Sequence, residues 1–279
     1  MKIAVTGAGG MLAHDLMAAA ARQGEDVIAF DHGALDVTDA DAVATALGGA
    51  APDVIAHCAA YTRVDDAEDS EESANLVNGR GTLHVARAAK ACGALFIYPS
   101  TDYVFDGSSA IPYGVDVATS PLNAYGRSKL QGEHAAAAAG RFMVVRTSWL
   151  YGSHGRNFVR TMLDRGRAGA PLRVVDDQRG SPTWTVDLAA MILGLVRRDA
   201  PSGIYHATNA GDTTWYGFAR SIFDVAGITA DLQPVSSSEY PQRALRPAYS
   251  VLDCTRTYSV TGPARHWRDA LTAALPGLS

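Results

Sequence analysis

Short apolar runs alternate with longer stretches of helical spacing along most of the chain. Lys2–Thr6 is rich in β-branched residues, as a buried strand would be, and residues 10–23 follow it with helical periodicity. The strand pattern recurs at Asp26–Phe30 and at residues 53–57, 95–98 and 142–146. Strands alternating with helices imply βαβ units, hence a parallel sheet covered on both faces. Residues 70–92 read as one long helix, with apolar positions near Leu76, Leu83 and Val85. Beyond Tyr151 the spacing loosens and Pro171, Gly180, Pro182 and Pro201 interrupt it; residues 233–247 have a loop's composition. There is no internal repeat, and the one low-complexity tract, residues 135–139, is alanine within a helical stretch.

Composition narrows the picture. The 279 residues suffice for one large domain, or for a dinucleotide-binding domain with a smaller partner. A net charge of −5 argues against nucleic acid as the main partner, which wants a basic face. Cys58, Cys92 and Cys254 are odd in number and contain no CxxC pair, so reduced thiols in a cytoplasm are expected rather than a disulfide framework. Met1 runs straight into a short strand, so no secretory leader is expected, and no apolar run approaches the roughly 18–20 residues that span a bilayer. No membrane partner is therefore expected.

Candidate chemistry begins at Gly7-Ala-Gly-Gly10-Met-Leu-Ala13, between the first strand and the first helix. Glycines there let the backbone turn tightly and approach a pyrophosphate, and the free N–H groups of the helix start bind the anion. An acidic residue, Asp31, ends the second strand about 20 residues on, which completes the dinucleotide-binding context. A plain strand-to-helix turn is the blander alternative. Tyr125-Gly-Arg-Ser-Lys129 places a phenol and an ammonium four residues apart on one helix face. A phenol near pKa 10 is a poor proton donor at neutral pH, and a fixed cation beside it is expected to lower that value. The position uses one of only three lysines in a chain with 21 arginines. Ser100-Thr-Asp-Tyr-Val-Phe105 lies at the carboxyl end of the fourth strand, where open parallel sheets bind ligands; a capping role is the alternative.

Together these residues resemble the extended short-chain dehydrogenase/reductases, and within them the dTDP-4-dehydrorhamnose reductase family. The likeness continues through Ala59-Ala-Tyr-Thr-Arg-Val-Asp65, Arg146-Thr-Ser-Trp-Leu-Tyr-Gly152, Asn157-Phe158, Asp177-Gln-Arg-Gly-Ser-Pro-Thr183 and Arg246-Pro-Ala-Tyr-Ser-Val-Leu252, nearly the whole chain. The resemblance implies an α/β fold, a Rossmann-type doubly wound parallel sheet over residues 1–150. Residues 151–279 would form mainly a smaller C-terminal substrate domain, with segments returning to the first. It implies Thr101, Tyr125 and Lys129 as the catalytic set. Gly7, Gly10, Met11 and Leu12 would meet the cofactor pyrophosphate, with Asp31, Asp36 and Val37 at its adenosine end. Ala60, Tyr61 and Thr62 would flank the ribose and nicotinamide, joined by Tyr125 and Lys129. Val64, Thr101, Asp102, Trp149 and Arg246 would meet the substrate, although a core Trp and a surface Arg are plain alternatives for the last two.

The activity implied is NADPH- or NADH-dependent reduction of a dTDP-keto-sugar, with the C4 ketone of dTDP-4-dehydro-6-deoxy-L-mannose giving dTDP-L-rhamnose, in a cytoplasmic monomer or homodimer. A related 4-ketoreductase of antibiotic deoxysugar assembly, an epimerase or dehydratase of the same fold, and a non-catalytic dinucleotide-binding subunit are the rival readings. Two departures stand out. Pro99 before Ser100 removes a backbone donor at the strand end. Some members of the family bind Mg²⁺ through three acids; Asp15 and Asp187 match two of these places with no third, so no metal is expected. Asp31 with no arginine after it leads to the expectation that NADH serves at least as well as NADPH.

Overall fold

The computed structural model describes residues 1–278. Its first half alternates strand and helix: β1 (Lys2–Thr6), α1 (Met11–Arg22), β2 (Asp26–Phe30), α2 (Ala40–Ala50), β3 (Val54–His57), α3 (Val64–Asp69), α4 (Glu71–Asn75), α5 (Thr82–Cys92), β4 (Leu95–Thr101), α6 (Ala124–Ala136) and β5 (Phe142–Thr147). There follow β6 (Leu150–Tyr151), α7 (Phe158–Arg167), β7 (Leu172–Val175), β8 (Arg179–Gly180), β9 (Thr183–Trp184), α8 (Thr185–Arg197) and β10 (Gly203–His206). The chain closes with β11 (Thr213–Thr214), α9 (Trp215–Ala226), β12 (Leu232–Val235), α10 (Thr255–Thr261) and α11 (Trp267–Ala274).

Six strands form one parallel sheet in the order β10-β5-β4-β3-β1-β2. Alternate residues of each strand serve opposite faces. Ile3 and Val5 pack with Leu12, Leu16, Leu188 and Ile192 of α1 and α8. Ala4, Ile55 and Phe96 pack with Val43, Leu47, Val85 and Ala89 of α2 and α5. This is the doubly wound α/β arrangement that the strand–helix alternation predicts. The chain leaves β1 for β2 on one side and returns for β3 on the other, so a crevice opens at the carboxyl ends of β1 and β3. A separate core joins Met162, Leu163, Leu172, Phe218, Ile222, Trp267 and Leu271 among α7, β7, α9 and α11. Between these two parts, α8 and β10 go back to the large sheet, β10 pairing with β5.

Three expectations change. Residues 70–92 hold α4 and α5, joined without a break by a π-helical turn at Leu76–Gly81 rather than a uniform α-helix. Strand β4 runs through Pro99 to Thr101 instead of stopping at residue 98. Leu95 N–H donates to Asp53 O on the β3 side, while Phe96 N–H donates to Arg141 O on the β5 side. Pro99 therefore turns its missing donor toward His57, the last residue of β3, and the β3–β4 ladder stops at the Ala56–Ile97 pair. Residues 233–247 are not all loop, because β12 pairs with β7.

Candidate active site

The glycine turn is built as its sequence demands. Gly7 has φ +65°, and a Cβ there would run into the main chain of Ala59. The Gly10 amide closes the turn on the Gly7 carbonyl at 2.9 Å. Gly10 caps α1 with no side-chain bond, and His14 N–H is the first to bond back into the helix. The amides of Met11, Leu12 and Ala13 thus stay free at the positive end of α1. Two cavities flank this turn, of about 580 Å³ and about 440 Å³, and share Gly9, Gly10, Cys58, Ala60 and Thr62.

The smaller cavity has Gly7, Asp36, Val37 and Tyr61 in its wall, with His32 and Arg63. The Asp36 carboxylate accepts bonds from the Thr38 amide and hydroxyl at 2.9 and 2.8 Å, which lowers its pKa. Asp31 lies beside this wall without lining it; its Oδ1 accepts the Ala34 amide at 2.8 Å. The segment carrying Ala60, Tyr61 and Thr62 is pinned by Asn78, which sequence reasoning missed. Asn78 Oδ1 accepts the Tyr61 amide at 2.8 Å, and its Nδ2 donates to the Tyr61 carbonyl and to Ser128 Oγ. Asn78 sits in the π-helical turn and is fully buried. The run Asn78-Gly-Arg-Gly81 was the signal, since it interrupts an otherwise good helix former.

The larger cavity gathers the acid–base residues. Thr101 ends β4 and Asp102 opens the 3-10 turn after it, and α6 presents Tyr125 and Lys129 to the same space. Asn123 caps α6 by accepting the Gly126 amide at 2.7 Å. Gly126 lets the helix pass against the Tyr103 carbonyl, where a Cβ would clash. The Tyr103 ring meets the Tyr125 ring edge-on, with centroids 6.0 Å apart. Thr101 Oγ1 donates to Asp102 Oδ1 at 3.1 Å, while Asp102 Oδ2 is buried with no partner. Burial pushes Asp102 up to about 7, opposed by the Ser250 and Thr101 hydroxyls.

The expected electrostatic link between Lys129 and Tyr125 is not what the structure displays. Burial, and then the Asp102 charge, raise the Tyr125 phenol well above its ordinary value, with the Thr101 hydroxyl opposing them. The Lys129 ammonium instead donates to the Pro99 carbonyl at 2.7 Å and sits 4.0 Å from the Tyr98 ring centroid. Burial lowers Lys129 to about 7, partly offset by Glu133 one helical turn on. Burial likewise depresses neighbouring His57 to about 3 and raises the Cys58 thiol to about 12. A phenol kept protonated is the form that a proton donor needs, and it arises here from burial rather than from the lysine.

Trp149 and Val64 line the same cavity. Trp149 adopts φ +47° and stacks on Trp215 with ring centroids 3.6 Å apart. Gly180 makes the stack possible, because a Cβ there would lie 2.6 Å from the indole. Gly10, Met11, Leu12, Ala60 and Thr62 line the same cavity as Thr101, Asp102, Tyr125, Lys129 and Trp149. Arg246 does not. It grips Asp65 through both Nη atoms at 2.8 and 2.7 Å and lines an adjoining cavity of about 310 Å³, which shares Tyr103 and Trp215 with the first. That bond holds the Asp65 carboxyl down at about 2.

The residues fit a dinucleotide. Three side-chain atoms in the large cavity's wall, His57 Nε2, Asp102 Oδ2 and Thr147 Oγ1, are buried without protein partners, and the free amides of α1 face the same space. For a metal the picture differs. Asp15 is bonded by the Thr185 hydroxyl, and Asp187 by Asn209 at 2.7 Å and Arg265 at 3.1 Å. Among the described residues no group of three His, Cys, Asp or Glu side chains could hold an ion, and no helix is long and apolar enough to cross a membrane.

Comparison with known proteins places this geometry in context. The family model described as RmlD substrate binding domain matches residues 1–279. A dTDP-4-keto-6-deoxy-D-glucose reductase of Streptomyces niveus is 45% identical over 280 residues, 99% of this chain and 96% of that protein. A dTDP-4-dehydrorhamnose reductase of Streptomyces griseus is 44% identical, over 98% of this chain and 93% of that protein. The crystal structure of a Bacillus anthracis dTDP-4-dehydrorhamnose reductase in complex with NADP superposes with a TM-score of 0.95 at 36% identity, covering 99% of this chain and 98% of that one.

Proposed function

This chain belongs to the family described as RmlD substrate binding domain, and from that membership we propose that it is an NAD(P)H-dependent reductase of dTDP-keto-sugars. The substrate that fits best is dTDP-4-dehydro-6-deoxy-L-mannose, reduced at C4 to dTDP-L-rhamnose. The observation that carries this reading is the single cavity joining the glycine turn, the Thr101–Tyr125–Lys129 group and the Trp149 face. Residues 1–150 would supply most of the cofactor site and residues 151–279 mainly the sugar site, with α8 and β10 belonging to the first.

When bound, the reduced nicotinamide supplies the hydride that reduces the ketone carbon. The free amides at the start of α1 hold the diphosphate. Thr101 orients the carbonyl oxygen, and Tyr125 gives it the proton of its buried phenol. The alkoxide forms in the same buried space that raises the phenol, so burial raises its proton affinity as well and the proton still passes to it. Lys129, anchored on Pro99, holds the ribose hydroxyls with its remaining N–H donors. The Trp149 face covers the apolar side of the deoxysugar. Beyond Tyr103 and Trp215, the adjoining cavity has aromatic Phe158 and Tyr240 with Arg165, Arg173 and Arg246, which suits a pyrimidine nucleotide and its diphosphate.

The second reading is a 4-ketoreductase for a different dTDP-deoxysugar, favoured by the Streptomyces niveus relative at equal similarity. Intact Thr101, Tyr125 and Lys129 speak against a non-catalytic subunit. Cys58, Cys92 and Cys254 are free thiols. Assaying NAD(P)H oxidation with a panel of dTDP-keto-sugars decides among these. Fastest turnover of the L-mannose derivative supports the first reading, fastest turnover of another sugar the second, and none with any sugar the non-catalytic one.

A further inference from the structure

We propose that Arg63, seconded by His32, receives the 2′-phosphate of NADPH, so that the chain favours NADPH over NADH and Asp31 does not set the choice. This rests on the dinucleotide reading of the site.

The adenosine ribose of a doubly wound fold lies by the end of the second strand, where an acid reads the 2′-hydroxyl or a nearby Arg accommodates a 2′-phosphate. Here the acid is turned away. Asp31 closes its own turn, its Oδ1 on the Ala34 amide at 2.8 Å and its main-chain oxygen on the Leu35 amide at 3.0 Å. The cavity wall beyond β2 is made by His32, Leu35 and Asp36 instead. Asp36 is the one acid in that wall, and its Oδ1 is engaged by the Thr38 amide and hydroxyl.

The segment after β3 contributes Arg63 to the same cavity. Its side chain is 71% exposed, with the guanidinium carbon 4.9 Å from the Tyr61 ring centroid. Its nearest acid is Asp66, 3.5 Å from Nε. Asp66 is already committed to Arg243, at 2.7 Å. The two Nη groups of Arg63 therefore remain available as a fork, the geometry that binds phosphate through paired charge-assisted bonds. The smaller cavity's wall thus carries the Arg63 guanidinium and the His32 ring as candidate donors to a phosphate, while Asp31 lies outside it.

The test is calorimetric titration of the purified full chain with 2′,5′-ADP and with 5′-AMP, which differ by the phosphate in question. The parent should bind 2′,5′-ADP about tenfold more tightly or better. Arg63→Ala should abolish most of that preference while leaving 5′-AMP affinity within about twofold, a control for folding. Arg63→Lys should retain part of it. Asp31→Asn keeps the acceptor for Ala34 and removes the charge, and should leave the ratio unchanged. Equal parental affinities, or a preference that survives Arg63→Ala and grows in Asp31→Asn, would overturn the proposal. Absence of binding by either nucleotide would instead remove the dinucleotide reading beneath it.

Discussion

The ammonium of Lys129 is held by the main-chain oxygen of Pro99 at 2.7 Å. What the cation needs from position 99 is a carbonyl, and proline supplies one while its absent N–H faces the last residue of β3, where the ladder ends. Pro99→Ala should therefore leave kcat/KM within about threefold, the ordinary range for a substitution that removes no contact. Lys129→Met should lower it by ~10²-fold or more, in the range seen for acid–base machinery. Steady-state kinetics on both variants checks the contrast, and a large loss in Pro99→Ala would mean that the ring itself shapes the site.

Stability of the ligand-free protein should bend with pH around neutrality. Lys129 falls from 10.5 to about 7 on folding, so between those values the unfolded chain binds more protons and stability rises with pH. Asp102 rises from 3.8 to about 7, so between those values the folded chain binds more protons and stability falls as pH rises. Urea midpoints measured for the parent, Lys129→Met and Asp102→Asn isolate each group by difference. The Lys129 variant should lose the upper rise and the Asp102 variant the lower fall; parallel curves for all three would refute both assignments.

Local spacing made the glycine turn and the Tyr125–Lys129 pair legible, since four residues on a helix always share a face. Where the Lys129 ammonium points was not legible, because it depends on Pro99, 30 residues away, and on burial that no local pattern encodes. Asn78 escaped for the same reason, with bonds reaching 17 and 50 residues along the chain. The large sheet was readable strand by strand through β5. Strand β10, only four residues long with Gly203 and His206 at its ends, owes its existence to pairing with β5 rather than to its own pattern.

Gly180→Ala should damage sugar binding without touching the cofactor. The added methyl would meet the Trp149 indole at 2.6 Å and force it off Trp215. We expect KM for the keto-sugar to rise ~10-fold, about 1.4 kcal/mol of contact energy, with cofactor affinity unchanged. Parallel titrations with cofactor and kinetics with sugar separate the two, and an unchanged KM would mean that the stack does not shape the sugar site.

No metal should be required. Asp187 is tied to Asn209 and Arg265, and Asp15 to Thr185, so neither carboxylate is free to recruit an ion. Turnover in excess EDTA should stay within about twofold of the untreated rate, a small fraction of the 1.36 kcal/mol that marks tenfold. Loss of activity that Mg²⁺ restores would contradict this.

Isotope transfer reads the proposed chemistry itself. Reduced cofactor carrying deuterium at both positions of the nicotinamide C4 would be mixed with purified protein and dTDP-4-dehydro-6-deoxy-L-mannose, and the sugar product examined by mass spectrometry and NMR. One deuterium at C4 of dTDP-L-rhamnose is expected, formed ~10²–10⁴-fold more slowly by Tyr125→Phe at unchanged cofactor affinity. No labelled product although cofactor binds, or a Tyr125→Phe rate less than tenfold below the parent, would show that this site does not reduce the sugar as described.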